Sequence, residues 1–437
     1  MELFKGQQAI KFFPNERSSL VVQPMQVAAP NIARLAYRLT LSLSAKNQNA
    51  LRQLKKTRVL FLPNHPTYMD PVVMFLLSAK MDEEFYYLAD HLQLRSVVGP
   101  LLQKLGAYSI RRGLPDRESV KHTLDVLKES QSKLVIFPEG GLSYQNDTIM
   151  MLRDGALHLA FKALSSQIKK DGSADDLLVV PVSIKYRYKR SQKSNILRML
   201  RRMEVALQLN NVGKPVYDRL REIGLTLLDK VENEYRYQVN KESSIDARVF
   251  TLKEHVITSL EDFFEISPLN VPHRERIYRL LGAIDEKAGK NLDSVEQLIA
   301  KVDLFDLAGL KKEEQWEDKL GQQWTISSMR KSLYRVLNFD AFYDGYVAQN
   351  PSEERFIDTL TRLEREIFDV DMPTIKGSQV AHVALGEPVK LNDYINDYQD
   401  KKDKLVSELN SEIRQTMQNN LDQLIKQTAT EEEKSRL

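Results

Sequence analysis

The chain has 437 residues, 42% of them hydrophobic and 28% charged, the balance of a soluble folded protein long enough for two or three domains. It contains no cysteine, which excludes disulfides, thiolate metal sites and a cysteine nucleophile, and suggests a reducing, cytoplasmic setting. A net charge of +3 is too small to imply nucleic acid.

The opening residues MELFKGQQAIKFF show no secretory pattern. The longest apolar run, PVVMFLL at 71–77, falls far short of the roughly 20 residues that span a bilayer, so membrane contact would be peripheral. Within NIARLAYRLTLSLS (31–44), Ile32, Leu35, Ala36, Leu39 and Leu43 are spaced as on one helix face. RVLFL (58–62) reads as a buried strand stopped by Pro63 and Asn64. Asp70 and Pro71 then suit an N-cap and a first helical position. Further strands are expected at 84–89, 107–110, 133–137, 177–184 and 203–209, with helical patterns at 117–129 and 152–169 between them. Such alternation predicts an α/β fold with a mostly parallel sheet flanked by helices. In such sheets ligands lie beyond the carboxyl ends of the strands.

Beyond residue 216 the strand patterns give way to polar helical segments at 216–239, 243–264, 272–289, 324–338 and 352–368. A strand, a Gly-Pro turn and a helix start return at 378–395, partly echoing VALQLNNVGKPVYDRL at 205–220. The expected organisation is an N-terminal segment (1–49), a catalytic domain (50–215), an all-helical insertion (216–375), and a returning strand with a C-terminal helix (376–437). The insertion carries no metal spacing, phosphate loop or nucleophile signature.

The chemistry concentrates in three strand-end segments. In LPNHPTYMDPV (62–72), His65 and Asp70 stand five positions apart in a proline-bounded loop. Imidazole takes a proton near neutral pH, and a carboxylate on its other nitrogen fixes the tautomer. Alone this spacing is weak, and a histidine capping a turn is the simpler reading. GLSYQ (141–145) lacks the second glycine of a nucleophile elbow, so a hydroxyl to be activated would belong to the substrate. KLVIFPEGG (133–141) ends in Glu139, Gly140 and Gly141, where backbone N–H groups can meet an anion. GAYSIRRG (106–113) ends in Arg111 and Arg112, the side chain best shaped for phosphate. Three such sites in order favour a functional rim.

The ordered segments resemble the glycerolipid acyltransferases of the 1-acylglycerol-3-phosphate O-acyltransferase type. Asn64, His65 and Asp70 match the NHx4D block. Gly106, Ile110 and Arg112 match the second block, Phe137 to Gly140 the FPEG block, and Val180, Pro181 and Val182 the fourth. LRDGA (152–156) and GEPV (386–389) also look like family segments. The resemblance spans about 50–210 and part of 376–395. It departs from the family after FPEG, where Thr-Arg-Ser is usual and Gly141, Leu142 and Ser143 stand here. Leu142 cannot bind phosphate, so Arg111, Arg153 or a residue of 185–202 compensates, or the acceptor differs from lysophosphatidate.

The resemblance implies transfer of a fatty acyl group from acyl-CoA or an acyl carrier protein thioester to a lysophospholipid or glycerol phosphate. His65 would be the general base and Asp70 its orienter. Asn64, Gly106, Arg111, Arg112, Glu139, Gly140 and Gly141 would line the substrate site, with backbone N–H groups near Gly140 as oxyanion donors. No metal and no resident cofactor are called for. Two other readings stay open: a metal-dependent phosphoester hydrolase using His65, Asp70 and Glu139, and a catalytically silent lipid-binding module. Eight basic residues between Lys185 and Arg202, with no acidic one among them, suggest an anionic membrane surface, the acidic acyl carrier protein or the phosphates of coenzyme A. A solvated face is the plainer alternative, as core packing is for the 31–44 helix.

Overall fold

The computed structural model describes residues 12–111, 116–268, 271–289, 315–318, 321–339, 345–370 and 373–429. Its strands are β1 (Leu39–Leu43), β2 (Arg58–Pro63), β3 (Tyr86–Asp90), β4 (Ala107–Ile110), β5 (Lys133–Val135), β6 (Leu177–Tyr188), β7 (Trp316–Glu317), β8 (Gln323–Trp324), β9 (Gln379–Leu385) and β10 (Val389–Lys390). The main sheet runs β1-β9-β6-β2-β5-β3-β4, with β10 also beside β6. β2, β3, β4, β5 and β6 are parallel, whereas β9 and β10 lie antiparallel to β6. The fold is α/β, a mostly parallel sheet flanked by helices.

Strand β2 shows why. Every residue of it is buried, as a strand covered on both faces requires. Leu60 and Leu62 pack with Leu157, Phe161 and Leu164 of the helix Gly155–Asp171 and with Val406, Ile413 and Met417 of Lys402–Gln427. Val59 and Phe61 meet Val73, Met74 and Leu77 of Asp70–Met81, and Ala29 and Ala33 of Ser19–Ala36. Alternation along one strand thus sorts side chains between two cores. C-terminal to β2 and β5, on one rim, lie NHPTYMD and PEGG.

Three expected elements fold differently. Residues 31–44 are not one helix: the helix is Ser19–Ala36, and Leu39–Leu43 is β1. Arg38 breaks the run with a φ of +50°. Thereafter Leu39, Leu41 and Leu43 alternate with Thr40 and Ser42, a period of two that also fits the helical spacing. Pairing with distant β9 decides between the two. Residues 203–209 are not a strand, because Lys193–Ala206 is a helix with Ile196, Met199, Leu200 and Met203 buried at helical spacing. The echo of GKPV and GEPV therefore has a strand only in its second copy. Finally, Met69 holds the N-cap position of Asp70–Met81, and Asp70 is its first residue.

The helices Val216–Glu234, Ile245–Phe263, His273–Gly289, Ile326–Phe339 and Glu353–Phe368 follow the sequence pattern closely. They share one core with Ile196, Met199, Leu200 and Met203, so the helical packing begins ahead of residue 216. β9 returns between β1 and β6. The C-terminal helix is amphipathic, burying Val406, Leu409, Ile413, Met417, Leu421 and Leu424.

Candidate active site

The His65 ring lies at the carboxyl end of β2. Its Nδ1 is 2.7 Å from Asp70 Oδ2, although five residues on a straight helix would separate them. Pro66 and the bend at Thr67 allow the contact. The Thr67 amide donates to Asp70 Oδ2 at 2.9 Å and its hydroxyl to Oδ1 at 3.3 Å. The Tyr186 hydroxyl donates to Asp70 Oδ1 at 2.5 Å. These partners fill the roughly four acceptor sites of a carboxylate. Since a carboxylate only accepts, Nδ1 carries the proton and the Nε2 lone pair is left for a substrate. Burial and the neighbouring Asp70 raise Tyr186 well above the ordinary phenol range, which keeps it a donor. Phe137 stacks on the imidazole, with centroids 4.1 Å apart, and fixes its plane.

The second loop is fastened to the first. The His65 amide donates to Glu139 Oε1 at 3.2 Å, and the Ser143 amide donates to the His65 carbonyl at 2.9 Å. Asn64 acts as an extra strand residue. Its side chain donates to the Ile184 carbonyl at 3.1 Å and accepts from the Ile184 amide at 2.7 Å. Asn64 thus anchors the loop to β6.

Glu139 is fully buried. Burial pushes its carboxyl up to about 8, helped by Asp70 and opposed by the His65 amide and Arg274. Its Oε2 has no hydrogen-bond partner among the described residues. Burial thus favours the protonated carboxyl at neutral pH. Gly140 has a φ of +71°, and a Cβ there would stand 2.5 Å from Arg153 Cδ. Its own amide donates to the Phe137 carbonyl at 3.2 Å, so it is engaged within the turn. No hydrogen bond from the Gly141 amide is seen among the described residues, which makes it a candidate oxyanion donor.

The remaining expected residues divide. Arg111 is tied to Asp116, through its amide at 2.9 Å and its guanidinium at 3.5 Å. Arg112 lies outside the described residues. Gly106 precedes β4, at the amino end of a strand parallel to its neighbours, and therefore on the rim opposite His65. Its φ of +99° and a Phe85 carbonyl 2.3 Å from a would-be Cβ give it a turn-forming role. The basic tract is not a single face either. Lys185 and Arg187 are buried in β6, paired with Asp147 and Glu354, because they point to the face that helices Glu353–Phe368 and Lys402–Gln427 cover. Arg202 pairs with Glu364 at 2.9 Å. Lys189, Arg190, Lys193, Arg198 and Arg201 are exposed.

Sequence reasoning missed Tyr186, Arg274 and Tyr278. For Tyr186 a signal existed: Val182, Ile184, Tyr186 and Tyr188 continue the alternation of β6 past residue 184, beneath the lysines and arginines that drew attention. Arg274 and Tyr278 belong to the helix His273–Gly289 and carry no local signal. The Arg274 guanidinium donates to the Glu139 carbonyl, and the Tyr278 hydroxyl donates to the Gly140 carbonyl at 2.5 Å.

Residues 43–185 match the acyltransferase family model. Over this third of the chain the sequence is similar to the acyltransferases of the glycerolipid type. The acyltransferase segment begins at the end of β1 and stops one residue short of Tyr186, so it contains His65, Asp70 and Glu139 but none of the helical residues after 189. No curated protein sequence matches the chain. The match supports O-acyl transfer as the reaction class. Among the described residues no helix is long and apolar enough to cross a membrane.

Proposed function

We propose that the protein transfers a fatty acyl group from a thioester, acyl-CoA or acyl carrier protein, to a hydroxyl of a lysophospholipid or glycerol phosphate. The contact of His65 Nδ1 with Asp70, 2.7 Å long and leaving Nε2 as the base, carries this reading. In it, Nε2 takes the proton of the acceptor hydroxyl, and the oxygen attacks the thioester carbonyl. The tetrahedral oxyanion is met by the Gly141 amide. When the intermediate collapses, the C–S bond breaks, and the imidazolium returns its proton to the departing thiolate. Base catalysis of this kind is worth about 10²–10⁴-fold, and Asp70 stabilises the imidazolium.

Glu139, neutral and facing His65, would donate to an acceptor oxygen. Arg112 would hold the acceptor phosphate, on the strength of its match to the second block. Arg153 stands beside Gly140 and can supply the positive charge that Leu142 lacks. The hydrolase reading is disfavoured because Asp70 spends both oxygens on Tyr186, Thr67 and His65, leaving little for a metal. The intact base and orienter likewise speak against a silent lipid-binding module.

The product prefers a bilayer, so we read the protein as peripheral to an anionic membrane. Leu20, Val27 and Leu35 are 89%, 82% and 75% exposed along one stripe of Ser19–Ala36, and the exposed cations of 189–201 supply charge. The deciding experiment is a matrix of purified protein, acyl-CoA or acyl carrier protein thioesters, and lysolipid or glycerol phosphate acceptors. Ester formation with a phosphate-bearing acceptor supports the proposal. No thioester consumption with any acceptor, alongside metal-stimulated phosphoester cleavage, would replace it.

A further inference from the structure

The helix His273–Gly289 lies outside the acyltransferase match, yet it touches the PEGG turn at two consecutive carbonyls. Arg274 donates to the Glu139 carbonyl, and one helical turn later Tyr278 donates to the Gly140 carbonyl at 2.5 Å. Residues four apart share a helix face, so both reach the turn together. Tyr278 is 2% exposed, and the Arg153 guanidinium lies 4.7 Å above its ring, beside the Gly140 Cα. The turn is thereby held between a helix from the insertion and an arginine from the acyltransferase segment.

The geometry points to Tyr278 and Arg274 as positioning residues for acyl transfer. A peptide group is planar, with its N–H opposite its C=O. A hydroxyl on the Gly140 carbonyl therefore fixes the direction of the Gly141 N–H, the candidate oxyanion donor. A guanidinium on the Glu139 carbonyl does the same for the preceding peptide, whose N–H closes the turn on Phe137. Glycine residues have no side chain to hold them, and here the holding groups come from the helical region. This inference rests on the acyl-transfer reading, and it makes the insertion part of the active site rather than a structural appendage.

Tyr278→Phe tests it, because it removes one hydroxyl and keeps the ring beneath Arg153. A displaced oxyanion donor should lower kcat about 10- to 100-fold while both substrate KM values stay within about twofold. Arg274→Met should do likewise, with Arg274→Lys restoring part of the loss through its own donor. Arg279→Ala, on the same helix but bonded to the Ser267 carbonyl, should behave as the parent. Parental kcat in folded Tyr278→Phe, or an equal loss in Arg274→Lys and Arg274→Met, would overturn the inference. The acyl-transfer reading has a separate readout: if His65→Ala remains active, that reading fails whatever Tyr278 does.

Discussion

Tyr186 donates its hydroxyl to Asp70 at 2.5 Å, so the group that orients His65 is itself oriented from β6. The strand sits beside β2 in register, Pro63 opposite Val182. The site is therefore braced across two parallel strands before any substrate arrives. Its positional accuracy comes from the sheet, and the loop supplies the chemistry.

Replacing Tyr186 with Phe removes that brace without changing the ring. The expected result is a roughly tenfold lower kcat with little change in either KM, since hydrogen bonds to a charged group are worth about 1.5–3 kcal/mol. Steady-state kinetics measure it, and a parental kcat would show that Thr67 and His65 alone hold Asp70.

Glu139 sets a pH dependence of stability. Its folded-state carboxyl keeps a proton up to about 8 because it is buried, while the unfolded chain releases it near ~4.3. Between these values the folded state binds more protons, so stability is full at the acid end and falls as pH rises. Asp358, raised to about 7 by burial, acts with the same sign. Glu139→Gln mimics the protonated acid and keeps the acceptor for the His65 amide. Urea unfolding at pH 5 and pH 8 should show the variant gaining on the parent by at least about 2 kcal/mol at the higher pH. Equal offsets at both values would mean that Glu139 is ionised in the fold.

Membrane contact separates into an apolar and a charged contribution. Leu20→Ser, Val27→Ser and Leu35→Ser together should weaken sedimentation with anionic vesicles at every salt concentration. Arg198→Gln with Arg201→Gln should weaken it mainly at low salt, where screening is small. Parental binding by both sets would place the contact on another surface.

Much of this was legible in the residues. The uninterrupted apolar run of β2, the proline-bounded loop and the glycine pair after β5 each carry a local cause, and these placed His65, Asp70 and Glu139 on one rim. What was not legible depends on distant contacts. LTLSL satisfies a helical and an alternating pattern at once, and only its pairing with Gln379–Leu385 selects the strand. Lys185 and Arg187 look like surface charge until Asp147 and Glu354 are brought against them by the fold. Gly106 fits a family block, yet its strand direction puts it at the far end of the sheet. Arg274 and Tyr278 lie more than 130 positions from the turn they bind, with nothing nearby in sequence to mark them.

The most direct test is the catalytic competence of folded His65→Ala, read by thiol release and by ester product in the same reaction, with Asp70→Asn alongside. His65→Ala should remain folded, because Asn64, Glu139 and Ser143 still anchor the loop, and should lose about 10²–10⁴-fold in kcat. Asp70→Asn should be similarly severe. Near-parental turnover by folded His65→Ala would contradict the assignment of the base, and with it the reaction proposed for this site.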